Sequence, residues 1–356
     1  GLGDVYKRQV DAMYTEHTFA EKDFALKHNE DEISVDTNFA AQNFWKEAII
    51  RFFNKKSAVL GLVLIVIIVL LAVLGPGMNS YTYSGQDLSQ KNFAPRVPGI
   101  EQFGILDGSE KMSTTTGTKI INNYVEKGKD DVYYWFGSDL YGRDIWTRTW
   151  EGARVSLIIA VAAAIIDMVI GMSYGLISGY FGGRVDMVMQ RFLEVANGIP
   201  RLVIVTLLLL VLQPGMVTII FALMLTEWVG MSRIARAEML KLKDQEFVLA
   251  SRTLGAGSFF IIFKEVLPNI IGPIITQVMF SIPTAIFTEA FLSFVGLGIP
   301  VPQCSLGSLI SELYNSFTTH PYQIIPPIVV MSLLMLSFNL VADGLREALD
   351  PKMKSM

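Results

Sequence analysis

The apolar residues of this chain gather into runs. Residues 57 to 75 (SAVLGLVLIVIIVLLAVLG) hold no charge, and at ~1.5 Å per residue they rise about 28 Å as a helix, enough to cross the hydrocarbon core of a bilayer. Further runs follow at about 155 to 179, 196 to 213, 215 to 232, 269 to 296 and 322 to 341, so about six spans are expected. The third is short unless residues 186 to 195 extend it. Pro200 and Pro214 punctuate this region, and membrane helices tolerate such breaks when neighbours re-satisfy the freed backbone groups. The expected fold is all-α, a polytopic membrane helix bundle with both termini on one side.

The polar stretches divide the chain further. Residues 1–45 form a polar tail, acidic and poor in apolar periodicity to about Asp36. The chain begins at Gly1, so Met13 is a candidate start and residues 1–12 candidate non-native sequence. Residues 46–76 form an anchor helix. Its apolar run, from residue 57, lies behind more than fifty residues and lacks a small-residue cleavage site, so it is expected to stay rather than be removed as a signal peptide. Residues 77–153 form an outer loop, 154–342 the core with a polar loop at 233–268, and 343–356 a tail. The outer loop is expected to hold a small ordered insertion. Its last part, WFGSDLYGRDIWTRTWEGARVSL, mixes Leu140, Ile145, Trp146 and Trp150 with arginines, the make-up of a helix lying in the membrane interface.

Composition agrees with a membrane protein. A hydrophobic content of 51%, with 17% charged residues, leaves too little polar surface to cover a soluble globule of 356 residues, and the mean hydropathy is +0.43. Lys46, Arg51, Lys55 and Lys56 precede the first span, and Arg233, Arg236, Lys241, Lys243, Arg252 and Lys264 crowd the 233–268 loop. With six spans both groups share one face, and Arg346, Lys352 and Lys354 join them, so that face is expected to be cytoplasmic. Arg143, Arg148 and Arg154 oppose this assignment, but they end a long loop, where the charge rule is weaker.

Catalytic chemistry is scarce. The chain holds no phosphate-binding G-x-x-x-x-G-K-[ST] loop and no H-E-x-x-H, and His17, His28 and His320 are scattered. Cys304 is alone, which excludes an internal disulfide. Nothing points to nucleic acid. Asp167, Glu194, Glu227 and Glu289 fall in or beside apolar runs, where an ionised group costs on the order of 3 kcal/mol on insertion scales. They are either proton relays of a stand-alone transporter or carboxylates paired with an Arg or a hydroxyl.

Residues 246 to 268 (EFVLASRTLGAGSFFIIFKEVLP) interrupt two apolar runs. The spacing predicts a short helix over Glu246–Leu254, a break at Gly255 and Gly257, a second helix over Phe259–Val266, and Pro268 in the first turn of the next span. Such a knob can transmit force to a partner that holds it in a cleft. The segment resembles the EAA loop of ABC importer permeases when aligned on Gly255 and on Leu267-Pro268. It departs from that pattern at Leu249 and Ser251, where a Glu and an Ala are usual, and at Glu265, where an apolar residue is usual.

Four further stretches narrow the resemblance to the peptide and nickel branch, C-type (OppC/DppC-like). FGSDLYGRDIWTRTWEGARVSL, SGYFGGRVDMVMQRFLEVANGIPRL, FLSFVGLGIPVPQCSLG and FNLVADGLREALDPK resemble that branch's motifs in the right order, with Glu194 for Asp, Leu306 for Trp and Ala342 for Gly among the departures.

The resemblance implies an ABC type I importer permease of a bacterial cell membrane. It implies a homologous second permease, two ATPase subunits and an extracytoplasmic substrate-binding protein as partners. ATP and Mg would be bound by the ATPases, with no cofactor in this chain and no enzymatic activity of its own. Glu246, Leu249, Ala250, Ser251, Gly255, Leu267 and Pro268 are the candidate ATPase-coupling residues. Asp167, Pro283 and Glu289 are candidates for the translocation path, and Pro200, Pro273 and Pro283 for hinges. The implied substrate is a peptide; a nickel or other small-solute importer of the same fold is the alternative.

Overall fold

In the computed structural model, which describes residues 44–114 and 117–349, the apolar runs become long helices. A short α1 (Phe44–Asn54) precedes α2 (Lys56–Gly77). After the outer insertion come α3 (Ile145–Phe181), α4 (Gly183–Gly198), α5 (Arg201–Val211) and α6 (Met216–Leu242). The chain then continues through α7 (Glu246–Thr253), α8 (Ser258–Leu297), α9 (Leu306–Tyr314) and α10 (Pro321–Leu349). Among the described residues, α2, α3, α6, α8 and α10 are each long and apolar enough to cross a membrane. Residues from Glu47 onward form one compact unit. The polar tail before Phe44, with Met13 and Asp36, and the tail positions Lys352 and Lys354 lie outside the described residues.

Glycines fix the helix directions. A Cβ on Gly171 of α3 would meet the Trp228 carbonyl oxygen at 2.5 Å, one on Gly175 the Ser232 oxygen at 2.1 Å, and one on Gly179 the Met239 Cβ at 2.9 Å. The contacts advance together, so α3 and α6 run parallel, with backbones closer than any side chain would allow. A Cβ on Gly61 would meet Leu340, and one on Gly344 would meet Ala58, so α2 and α10 run antiparallel. Gly272 of α8 faces Leu349, the last residue of α10. One end of the bundle therefore carries the start of α2, the end of α10 and the knob. The other carries the insertion and α9.

Two parallel helices joined in sequence need a return crossing between them. The pair α4 and α5 supplies it, bent by 75° at the break between them. This corrects the expected third span: residues 196–213 are not one helix. Pro200 has no N–H with which to continue α4 and pushes Ile199 into the extended region, φ −83° and ψ 124°.

The helix expected at the end of the outer loop is not a separate element. Residues 145 to 154 are the first turns of α3, capped by Asp144, whose carboxylate accepts from the Thr147 N–H and hydroxyl at 2.8 and 2.6 Å. Trp150 packs against Gly75 of α2. The preceding insertion is ordered: β1 (Ser109–Thr114) pairs antiparallel with β2 (Gly117–Asn122), and Phe93, Tyr124 and Tyr134 form a buried aromatic core with Tyr81 stacked on Tyr134.

The main core joins Ile159 and Ala160 of α3, Ile219 of α6, Ile286 of α8 and Leu334 of α10. Outside it, only 28% of the apolar window of α2 is buried, and Leu60, Val63, Val66, Leu70 and Val73 point outward. A continuous apolar face of that length is stable in lipid and not in water.

Candidate functional site

The knob is built by a helix stop. At the end of α7 the Gly255 N–H donates to the Arg252 carbonyl and the Ala256 N–H to the Ser251 carbonyl, both at 3.0 Å. This double bond pattern requires a left-handed residue, and Gly255 supplies it with φ +84°. A Cβ at Gly255 would meet nothing within 4 Å, so the position is open on its outer side. Gly257, at φ −70° and ψ 153°, then leads into α8.

The second short helix of the sequence reading is corrected, because Phe259–Val266 is continuous with the long span of α8. Residues Ile261–Val266 are wound as a π-helix just before Pro268. The widened turn accommodates a ring that cannot donate to the preceding turn, and the Asn269 side chain donates to the Glu265 carbonyl at 2.6 Å.

One face of α7 is seated and the other is free. Val248 is fully buried against a cluster that includes Met239 of α6 and Ile261, Ile262 and Val266 of α8. The opposite face exposes Glu246, Leu249 and Ala250, and Leu254 beyond it is 88% exposed. Ser251 and Leu267 are half-buried, and Pro268 is exposed at the start of the next helical segment. Phe259, just past the glycine turn, is 65% exposed. Of the candidate coupling residues of α7, Glu246, Leu249 and Ala250 are exposed, as are Leu254 and Phe259, which motif matching passed over. Their signal was plain: large apolar residues flanking a glycine break.

The candidate path residues sit elsewhere. Glu289 is fully buried in α8, and its carboxylate accepts from Ser305 at 2.5 Å, Ser293 at 2.7 Å and Ser156 at 3.2 Å. Ser156 in turn accepts the Leu306 N–H at 3.0 Å, and Ser305 forms a capping box with Ser308. This carboxylate fastens α9 to α3 and α8; Ser293 lies four residues on in the same helix, whereas Ser156 lies 133 residues before it, too far for a sequence window to join. Asp167 is buried where α3 widens into a π-helix at Asp167–Gly171. Pro283 is buried inside α8, and Thr288 donates to Glu227 at 3.3 Å. Glu194 pairs with Arg191 at 2.6 Å on the surface.

At the insertion end, Arg143 and Arg148 are buried, with Asp139 accepting from both at 2.7 and 2.8 Å. Glu312 of α9 also accepts from both, from Arg148 at 2.7 Å. Burial pushes the Glu312 carboxyl up, but the Arg148 and Arg143 guanidiniums more than offset it and hold the group below its ordinary range. Burial raises the Asp144 carboxyl, against the Thr147 and Asn79 hydrogen bonds. Arg143 and Arg148, two of the three arginines that oppose the charge rule, are therefore neutralised within the fold, and Arg154 pairs with Glu151 at 2.9 Å. Among the described residues, no His, Cys, Asp and Glu side chains gather into a metal-binding group.

Sequence comparison gives the class of protein to which this bundle of spans belongs. Residues 171–355 match the family described as binding-protein-dependent transport system inner membrane component, and residues 43–95 match the N-terminal TM domain of oligopeptide transport permease C. The chain belongs to this family of inner membrane permeases.

It is 41% identical over 312 residues to the oligopeptide transport system permease protein OppC of Bacillus subtilis (strain 168), covering 88% of this chain and 91% of that one. To the dipeptide transport system permease protein DppC of the same organism it is 38% identical over 332 residues, 93% of each chain. To DppC of Lactococcus lactis subsp. cremoris (strain MG1363) it is 40% identical over 338 residues, 93% and 97% of the two chains. A solved structure of the MetNI methionine ABC transporter, inward facing, aligns with 56% of this chain and 94% of its own at 15% identity and a TM-score of 0.48.

Proposed function

We propose that this chain is the C-type permease subunit of an ATP-driven peptide importer and forms half of a translocation path with a homologous second permease. The observation that carries the reading is the knob: α7 is seated on α6 and α8 by Val248 and presents Leu249, Leu254 and Phe259 outward. An ATPase subunit occupies that free face in this reading, and the ATPases bind the ATP and Mg. An extracytoplasmic binding protein delivers substrate at the insertion end. The knob end is cytoplasmic in a bacterial cell membrane, and both termini lie there. The names of the oligopeptide and dipeptide permeases to which the chain is similar support a peptide as substrate.

Pull-down of the detergent-solubilised chain from its native membranes, with and without Gly255→Val, tests this. Two P-loop ATPases and a sister permease should come down with the wild type, and the ATPases should be weakened or lost in the variant. Recovery of the wild-type chain alone would sink the proposal.

A further inference from the structure

The helix pair α4 and α5 is the least enclosed part of the bundle. On α4, Val185, Met187, Val188, Phe192 and Val195 are all exposed. Leu193 is buried, against Trp228 and Val229 of α6 and Tyr174 of α3. Apolar contacts of this kind have no preferred direction and let one helix slide on another.

Polar contacts differ. The Tyr174 hydroxyl of α3 donates to the Met189 carbonyl of α4 at 2.7 Å. The Asp186 carboxylate, in the first turn of α4, accepts from Arg236 of α6 through both oxygens: Nε to one at 2.6 Å and Nη2 to the other at 2.6 Å. Ser178 of α3 donates to the same carboxylate at 2.5 Å, and Gln190 of α4 donates to the Ser178 hydroxyl at 3.0 Å. Asp186 keeps 16% of its side-chain surface and Arg236 31%, so the pair is partly shielded. Among the described residues it is the only ion pair that joins α4 to another helix. A paired, planar contact fixes orientation as well as distance, which packing alone does not.

Its position gives it a use. Arg236 lies on the stretch of α6 that packs backbone-close on α3, where a Cβ on Gly179 would meet the Arg236 carbonyl oxygen at 3.0 Å. Only Lys243, Asp244 and Gln245 separate the end of α6 from the knob helix α7. Beyond Asp186, α4 ends at the 75° bend, and α5 places Val205 against Ala222 of α6 and Leu292 of α8.

We propose that Asp186 is a positioning residue that, through its paired contact with Arg236, passes displacement of the knob into α4 and thence to the bend at Ile199–Pro200. The inference rests on the importer reading. It assigns a second arm to coupling: α7 receives the movement, and the Asp186–Arg236 contact carries it to the broken span.

The test uses the full importer, reconstituted in lipid vesicles with its ATPases, sister permease and binding protein. ATP hydrolysis with and without peptide-loaded binding protein, peptide uptake and subunit content are read together. Asp186→Asn keeps the shape and removes the charge. It should leave subunit content and unstimulated hydrolysis unchanged, abolish stimulation by the loaded binding protein, and lower uptake on the order of ten-fold. The exchange Asp186→Arg with Arg236→Asp should restore stimulation.

Unchanged stimulation and uptake in Asp186→Asn would overturn the inference, as would losses that only track a fall in subunit content. If Asp186→Asn does not assemble, Arg236→Lys, which keeps the charge and loses the paired geometry, is read in the same way and should show partial uncoupling. A wild-type preparation that shows no partner ATPase and no stimulation fails at the importer reading itself, before any variant is compared.

Discussion

The two ends of this bundle are held by opposite means. At the knob end, α7 rests on an apolar bed through Val248 and keeps an apolar face free. At the insertion end, α9 is held by Glu312 on two buried arginines and by Glu289 on three serines, while His320 meets Glu110 at 3.0 Å and Gln323 donates to Asn92 and Ser138. Buried polar contacts are intolerant of displacement because each lost partner leaves a desolvated group. Apolar seating tolerates small shifts at little cost. The contrast suits an insertion end kept in one register and a knob end that rides on a moving partner.

Substitutions can break this contrast, beginning where the effect is largest. Arg148→Met leaves Asp139 and Glu312 short of a buried partner and should cost about 3–5 kcal/mol, seen as a large drop in melting temperature in detergent. An unchanged melt would mean that the insertion end is not braced by charge. The same cluster sets a pH dependence. Because the Glu312 pKa is lowered by folding, its contribution is present above the unfolded carboxylate pKa and is lost as pH falls through the lowered one. Melting curves against pH should show a step on the acid side that is absent in Glu312→Gln.

Val248→Ala empties part of the seat and should cost about 2 kcal/mol, visible as faster hydrogen exchange in α7 ahead of the rest of the bundle. Gly255→Val forces a β-branched residue to φ +84°, a local cost of about 1–2 kcal/mol. It should abolish uptake while the protein still inserts; normal peptide-dependent growth would refute this. Leu254→Ser, at an exposed site, should change stability by no more than ~0.5 kcal/mol yet weaken retention of the ATPase in a pull-down. Equal retention would remove Leu254 from the docking face.

Much of this was legible in the sequence. Run length alone placed α2, and the glycine break placed the end of α7, because both are local: a bilayer sets one and a left-handed turn the other. What escaped was non-local. Arg143 and Arg148 read as interfacial because their acid on α9, Glu312, lies 169 and 164 residues away. The run at 196–213 read as one span because hydropathy does not register a bend. Asp186 stood within a quoted motif, but only the fold brings Arg236, 50 residues on, to meet it.

The glycine seam between α3 and α6 also bears on how the chain is made. Gly175 must wait for Ser232, and at roughly 5–20 residues per second of synthesis that wait is several seconds. Throughout it, the groove of α3 has no α6 to fill it, and Asp186 has no arginine to pair with. Assembly of this permease therefore includes an interval in which a half-built bundle carries an unfilled furrow, closed only when α6 packs into it.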